Sequence, residues 1–577
     1  LFKLIVFLKP YKKECILGPI FKLLEAILEL LLPTVMALII NYGVAMRDIS
    51  YVLKMGAVMV VMSILGFGSS MICQYYAART SQGFGTSLRD AIFKHILSLS
   101  YSEIDKFGAP SLINRITNDV NQLQFAVAML IRLVIRAPFI CIGAIIMAMI
   151  LDFKLALILI AATPVFAVIL YFVISRASPL YQMIQNRLDK LASVLRENLS
   201  GVRVIRAFAK SDSESLRFNA SSDDLTRISI HVGKISALLN PLTSLVMNAS
   251  IIAILWLGGL RINSGHLSQG EIIAFVNYIT QILLALIVVS NLVIIFTKAF
   301  ASAGRVGEIL AAQTSIIENP AKSSSSAAHT PAIEFRNASF GYSQTGDMAL
   351  TDVSAAIRHG ETVGIIGSTG SGKSTLINLI PRFYDVSEGE ILVYGLNVKD
   401  YSLRELRKLI GIVPQRALLF TGTIAENIRW GKQDATDQQI IDAAKTAQVH
   451  EFISGLPDGY GTQVSRGGAN FSGGQKQRLT IARALAMQPS ILILDDSSSA
   501  LDFATDAALR SSLKKSSSRM TVLIVSQRVS SIKHADKIIV LDDGRIAGIG
   551  THSQLIDNCG VYKEICLSQL SGEEVSK

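Results

Sequence analysis

Charge is scarce in this chain. Only 17% of its 577 residues are Asp, Glu, Lys or Arg, half are hydrophobic, and the mean hydropathy is +0.44. That length exceeds what one hydrophobic core serves, so at least two domains are expected. The scarcity is also uneven. Residues 15–300 contain several apolar runs of about eighteen residues or more, the length that crosses a bilayer, whereas 333–577 read as an ordinary soluble domain. Cysteine is scarce too. Cys15, Cys73, Cys141, Cys559 and Cys566 show no metal-ligand spacing and three lie inside apolar segments, which excludes a disulfide framework and leaves small hydrophobes. No cleavable signal peptide is expected. The formal net charge of +11 lacks the clustered stripe that a groove-binding protein needs, so no nucleic-acid partner is expected.

What is present begins with six apolar segments, about 15–40, 52–76, 125–151, 153–175, 238–262 and 272–297. Three connections are short and each carries one basic residue, Arg47, Lys154 or Arg261. The long ones, 77–124 and 176–237, carry many, among them Arg79, Arg89, Lys94, Arg187, Arg203 and Arg206. The excess of Lys and Arg places the long connections and both termini in the cytoplasm, with the lipid bilayer as an obligatory partner. Those connections keep helical periodicity, as in LRDAIFKHILSL, so the spans are expected to continue beyond the membrane. Short crossing helices are expected near IDKFGAPSLINRI and AFAKSDSES. The opening LFKLIVFLKPYKK reads as a short interfacial helix stopped by Pro10.

Glu25 and Glu29 stand one helical turn apart inside the first apolar run, where charge is costly. They could line a polar cavity suited to a cationic substrate. They could equally pair with Arg132 and Arg136, also one turn apart, on a neighbouring helix.

After the Ser/Ala/Pro-rich stretch 319–331, short β-type runs alternate with helical ones, the pattern of an α/β domain. In VGIIGSTGSGKSTLINLI an apolar strand enters a glycine-rich loop and a helix leaves it. The loop runs Gly367, Ser368, Thr369, Gly370, Ser371, Gly372, Lys373, Ser374, Thr375. Its backbone N–H groups can surround phosphates, with Lys373 reaching the β- and γ-phosphates and Ser374 on magnesium. Asp495, ending the run Ile491–Leu494, fits an acid that holds magnesium through water. Between them, Ser472, Gly473, Gly474 and Gln475 open a basic amphipathic helix, again phosphate-binding architecture. One chain needs only one phosphate loop per ATP. Two phosphate-binding segments make sense when each nucleotide is sandwiched between two chains.

Across its length the sequence resembles the ABC transporter family. GSTGSGKS resembles the family's phosphate loop, FSGGQ its signature, and ILILD its magnesium strand. The six-span half with two long cytoplasmic excursions is similar to the exporter branch, which implies a membrane α-helical domain fused to an α/β nucleotide-binding domain. The implied division is an interfacial elbow helix over 1–14, the membrane domain over 15–304, a linker over 305–332, the nucleotide-binding domain over 333–569 and a tail over 570–577. The resemblance also implies ATP and Mg2+, with Tyr342 stacking on adenine and Gln415 sensing magnesium and the γ-phosphate. Ser374, Gln415 and Asp495 form the magnesium set, and Asp502 communicates across the dimer.

Two positions depart from the family. Asp496 stands where the general-base glutamate is usual, and its carboxylate should fall about an ångström short of the attacking water. Gln527 stands where a histidine is usual and cannot supply imidazole's charge or protonation chemistry. The binding residues and FSGGQ are intact. That asymmetry resembles the degenerate-site subunit of bacterial heterodimeric multidrug exporters. It implies a non-identical half-transporter with a competent Glu/His site as partner, an amphipathic small molecule as substrate, and a multi-pass position in the bacterial plasma membrane. A slow homodimeric exporter or lipid translocator is the alternative. A regulatory or channel-gating subunit would need added regulatory regions, for which the short linker leaves no room.

Overall fold

The computed structural model describes residues 2–265, 267–318, 330–342, 346–516 and 520–569. Residues 319–329 of the expected linker and the expected tail, 570–577, lie outside the described residues. The chain divides into two compact units, Leu1–Ser98 with Gly108–Ala312, and Leu99–Phe107 with Gln313–Lys577.

The first unit is helical. Among the described residues six helical segments are long and apolar enough to cross a membrane: α1 (Leu4–Val44), α2 (Ile49–Ser98), α3 (Ala109–Leu151), α4 (Phe153–Ser200), α5 (Ser211–Asn263) and α6 (Gln269–Ala311). A bilayer core takes about 20 helical residues, so segments of 41 to 53 residues extend well past it, as the polar periodic connections predict. The last segment reaches into the stretch assigned to the linker.

The expected stop at Pro10 is absent. Residues Phe2–Tyr11 form a 3-10 helix that passes straight into α-helix at Lys12. Pro10 lies inside the 3-10 helix, next to its last residue, where its fixed φ of about −65° suits the conformation. The second short crossing helix occupies Val202–Ala207, at the start of the expected AFAKSDSES, because α4 ends at Ser200 and the chain re-enters a helix after Gly201.

Helix ends are capped by residues close in sequence. Asp152 accepts from the Leu155 amide at 2.9 Å and pairs with Arg261 at 2.6 Å. Ser268 and Glu271 form a reciprocal capping box at the start of α6. The α1–α6 contact relies on Gly270, where a Cβ would lie 2.4 Å from the Ala37 carbonyl oxygen, and on the Tyr278 hydroxyl, which donates to the Leu30 carbonyl at 3.0 Å. Small residues that let backbones approach are what holds helices together where lipid removes the hydrophobic driving force.

The second unit is α/β. Its strands are β1 (Ile333–Phe340), β2 (Leu350–Ile357), β3 (Thr362–Gly367), β4 (Glu388–Val393), β5 (Leu396–Asn397), β6 (Ile410–Val413), β7 (Gly422–Thr423), β8 (Gln463–Val464), β9 (Ile491–Asp495), β10 (Thr521–Val525), β11 (Lys537–Asp542) and β12 (Arg545–Gly550). An antiparallel sheet has the order β2-β1-β4-β5, and a six-stranded sheet has the order β12-β11-β3-β10-β9-β6, parallel except at β11–β12. Strands such as ILIL and TVLIV are buried on both faces, which is why they read as unbroken apolar runs instead of alternating ones.

The short helix Tyr101–Phe107, from the connection between α2 and α3, packs with this unit. The Tyr384 hydroxyl donates to Asp105 at 2.7 Å, and the Tyr101 ring lies 4.6 Å from that of Phe383.

Candidate functional site

The site forms where β3, β10 and β9 end side by side. Parallel pairing places Val525 opposite both Ile365 and Asp495, so three adjacent strand ends deliver the glycine-rich loop, Val525 and the aspartate to one edge of the sheet. The carboxyl edge of a parallel sheet is where loops are free to gather binding groups.

From Gly367 the loop turns through Gly370 and Gly372, with φ of +86° and +92°, and enters helix α7 (Lys373–Leu379). Residues with side chains rarely adopt such angles, and at Gly372 a Cβ would also lie 2.7 Å from the Ala349 carbonyl oxygen. The Lys373 ammonium is buried and donates to the carbonyls of Gly367 at 2.9 Å and Ser368 at 2.6 Å. The Ser374 hydroxyl donates to Asp495 at 3.3 Å, and the Gln415 amide donates to Asp496 at 3.4 Å. Tyr342 is exposed, its hydroxyl 3.1 Å from that of Thr375 and its ring set edge-on to Phe340 and Tyr384.

These groups enclose a cavity of about 400 Å3 lined by Tyr342, the loop from Thr369 to Thr375, Gln415, Asp495, Asp496 and Gln527. Gly367 and Ser368 do not line it, and their carbonyls hold the Lys373 ammonium. The second set of sequence-assigned residues does not line this cavity. Ser472 caps helix α8 (Gly473–Ala486), accepting from the Gln475 amide while Gln475 accepts from the Ser472 amide at 2.8 Å. Asp502 caps helix α9 (Phe503–Ser516), accepting from the Thr505 amide at 2.7 Å. That hydrogen bond holds its carboxyl below the usual carboxylate value.

Burial pushes the Asp495 carboxyl above its ordinary pKa, and the Ser374 hydrogen bond and Lys373 oppose the shift. Burial also raises Asp496, opposed by its bond to Gln415 and by Arg528 and Lys373. Burial lowers Lys373, with Asp496 and Asp495 pulling it back. One cation and two carboxylates therefore share the cavity. With the hydroxyl of Ser374 and the side chain of Gln415 they offer hard oxygen donors, the chemistry a magnesium ion takes. Asp496 lies in the left-handed region at φ +43°, fixed by its amide bond to the Val525 carbonyl at 2.9 Å.

Some residues of the site were not found from the sequence. Ala349, Val525 and Ser526 line the cavity. Gln569, at the end of helix α10 (Gly560–Gln569), clips the loop that carries Gln527: its amide donates to the Gln527 carbonyl at 2.7 Å, and its oxygen accepts from the Val529 amide at 2.9 Å. No sequence pattern marks such a clip, because it bonds backbone 42 residues away. A larger cavity of about 810 Å3 elsewhere in the unit, bordered by Arg510, Lys514 and Lys533, contains none of the sequence-assigned residues.

Residues 15–286 match the family described as ABC transporter transmembrane region, and residues 350–499 match the one described as ABC transporter. An uncharacterized ABC transporter ATP-binding protein of Mycobacterium tuberculosis is 40% identical over 97% of this chain and 97% of its own length. A putative multidrug export ATP-binding/permease protein of Bacillus subtilis is 35% identical over 97% of each chain. Among solved structures, a bacterial Atm1-family ABC exporter with ATP bound superposes with a TM-score of 0.80 at 24% identity, covering 97% of this chain and 99% of that one. That last likeness concerns the fold alone.

Proposed function

The chain belongs to the ABC transporter family, as an exporter with membrane and ATP-binding domains in one polypeptide, and from that premise we propose that it is the hydrolysis-impaired half of a heterodimeric drug exporter. ATP-driven transport, a multi-pass membrane position and dimerisation follow from membership. The impairment, the non-identical partner and the amphipathic substrate are our reading.

The observation that supports it is the place of the two departures. Asp496 and Gln527 face the same cavity as Lys373, Ser374 and Asp495. They therefore alter the group that would act on water and leave the binding groups in place. In this reading Tyr342 stacks on the adenine, the loop Gly367–Thr375 holds the phosphates, and Lys373 neutralises their charge. Ser374, Gln415 and Asp495 would hold magnesium, which when bound neutralises charge building up on the phosphates. Asp496 is too short to orient the attacking water well, and Gln527 cannot replace a histidine near the γ-phosphate.

Ser472–Gln475 and Asp502 line no part of this cavity, as expected of groups that serve a nucleotide on a facing chain. There they complete a competent site. ATP binding at both sites closes the nucleotide domains, and hydrolysis at the partner's loop resets the membrane domain between its two access states. This chain's own site holds ATP for longer.

Paired substitutions in the assembled transporter test the asymmetry. Asp496→Asn should change steady-state ATPase activity by less than about twofold, because this site contributes little turnover. Gly474→Asp, which puts a side chain and a negative charge at the signature, should abolish most of it. A large loss from Asp496→Asn, or full activity with Gly474→Asp, would overturn the proposal.

A further inference from the structure

Within the membrane-spanning part, α1 carries Lys22, Glu25 and Glu29, and α3 carries Arg132 and Arg136. Each acid is already paired. Lys22 bonds Glu25 at 2.6 Å and reaches Ser70 of α2 at 3.4 Å, and Arg136 bonds Glu29 at 2.6 Å. The third cation has no such partner. Arg132 makes no ion pair or hydrogen bond among the described residues, and its Nε is buried without an acceptor, as is the Nε of Arg136.

The helices bring these charges together by close packing. At Gly18 a Cβ would lie 2.6 Å from the Ile131 methyl, and Ile131 packs with Cys73 and Ala77 of α2 in a small buried cluster. Arg132 stands in a π-helical turn, Leu130–Val134, a local irregularity of the kind that often marks functional positions in helices.

Three cations against two acids leave one uncompensated positive charge at membrane depth. Such a charge is expensive and characteristically belongs to a substrate pathway. Each acid already has a cation on its Oε2, which favours the pairing reading of Glu25 and Glu29 over the cation-site one. We propose that Arg132, flanked by the Lys22–Glu25 and Glu29–Arg136 pairs, binds the phosphate or carboxylate headgroup of an anionic amphiphile, whose hydrocarbon part lies against the apolar spans. This assignment deepens the exporter reading and rests on it, but it is independent of which ATP site hydrolyses.

The test uses the full-length chain, with any partner that co-purifies, in phosphatidylcholine nanodiscs without nucleotide. Radiolabelled dodecyl phosphate is titrated in and competed with dodecanoate, dodecyltrimethylammonium, dodecyl maltoside and inorganic phosphate. The anionic amphiphiles should compete at concentrations at least about tenfold below the cationic one, a difference an added charge pair readily supplies. Inorganic phosphate should not compete at those concentrations. Arg132→Gln should abolish the preference. Glu29→Gln, which releases Arg136, should strengthen it severalfold, so a decisive arm remains if the first variant fails to fold.

Equal competition by the cationic amphiphile, competition by inorganic phosphate alone, or a preference untouched by both substitutions would overturn the assignment. Binding without charge preference contradicts only this inference. No binding by any of the amphiphiles contradicts the amphipathic-substrate reading as well.

Discussion

Restoring the usual residues at the two departures, Asp496→Glu with Gln527→His, should switch on hydrolysis at this chain's own site. The backbone at 496 is pinned independently of its side chain: its amide donates to the Val525 carbonyl at 2.9 Å, and its carbonyl accepts from the Ser499 amide at 3.2 Å and the Ser499 hydroxyl at 2.8 Å. A glutamate there extends from an unchanged anchor and carries its carboxylate about an ångström further into the cavity, the distance over which a positioned base gains or loses its effect. Such a base contributes about 10²–10⁴ in rate, or roughly 2.7–5.4 kcal/mol of barrier. The left-handed backbone suits aspartate better than glutamate, so the variant should lose a little stability without losing rate.

Steady-state ATPase is a poor readout, since activating a second site at most about doubles it. Single-turnover quench-flow on ATP bound at this chain's loop is the assay, with an expected acceleration of at least about 10². A rate within about threefold of wild type would mean that neither position limits the site, which would refute the reasoning.

Two further outcomes follow from the geometry. Because burial raises the Asp495 pKa, acidification should protonate this carboxylate above the ordinary value of about 3.9. Magnesium-dependent nucleotide binding, followed by fluorescence of trinitrophenyl-ATP, should therefore fall as pH drops through that raised value; Asp495→Asn should bind more weakly and lose this pH dependence, and an unchanged profile would count against the role. Gln569→Ala should free the loop carrying Gln527 at a cost of about 1–3 kcal/mol for two hydrogen bonds, seen as faster deuterium exchange over 526–529 with nucleotide affinity little changed; unchanged exchange would remove Gln569 from the site.

The nucleotide site was legible where its parts are contiguous or end a strand. The loop Gly367–Thr375 announces itself because a phosphate cradle needs glycine at positive φ in sequence order, and Asp495 because a buried parallel strand is an unbroken apolar run with an acid at its tip. Tyr342, Gln415 and Asp496 became legible through resemblance, and the fold brings them to the same cavity. Gln569 and the wall residues Ala349, Val525 and Ser526 were silent, because backbone bonds and surface shape leave no type-specific pattern.

In the membrane half the spans were plain from hydropathy, but the charge pairing was only half visible. Arg136 does meet Glu29. Lys22, spaced to reach Glu25 on its own helix, takes the acid that the pairing alternative left open to Arg132, and that leaves the excess charge on which the substrate assignment depends.

The most direct measurement is the chemical state of the nucleotide this chain retains. After turnover of the assembled transporter with photoreactive 8-azido-ATP labelled at either the α- or the γ-phosphate, the subunits are cross-linked and separated. This chain should carry both labels, having kept intact ATP, while its partner carries the α label alone. Loss of the γ label from both subunits at the same rate would contradict the account.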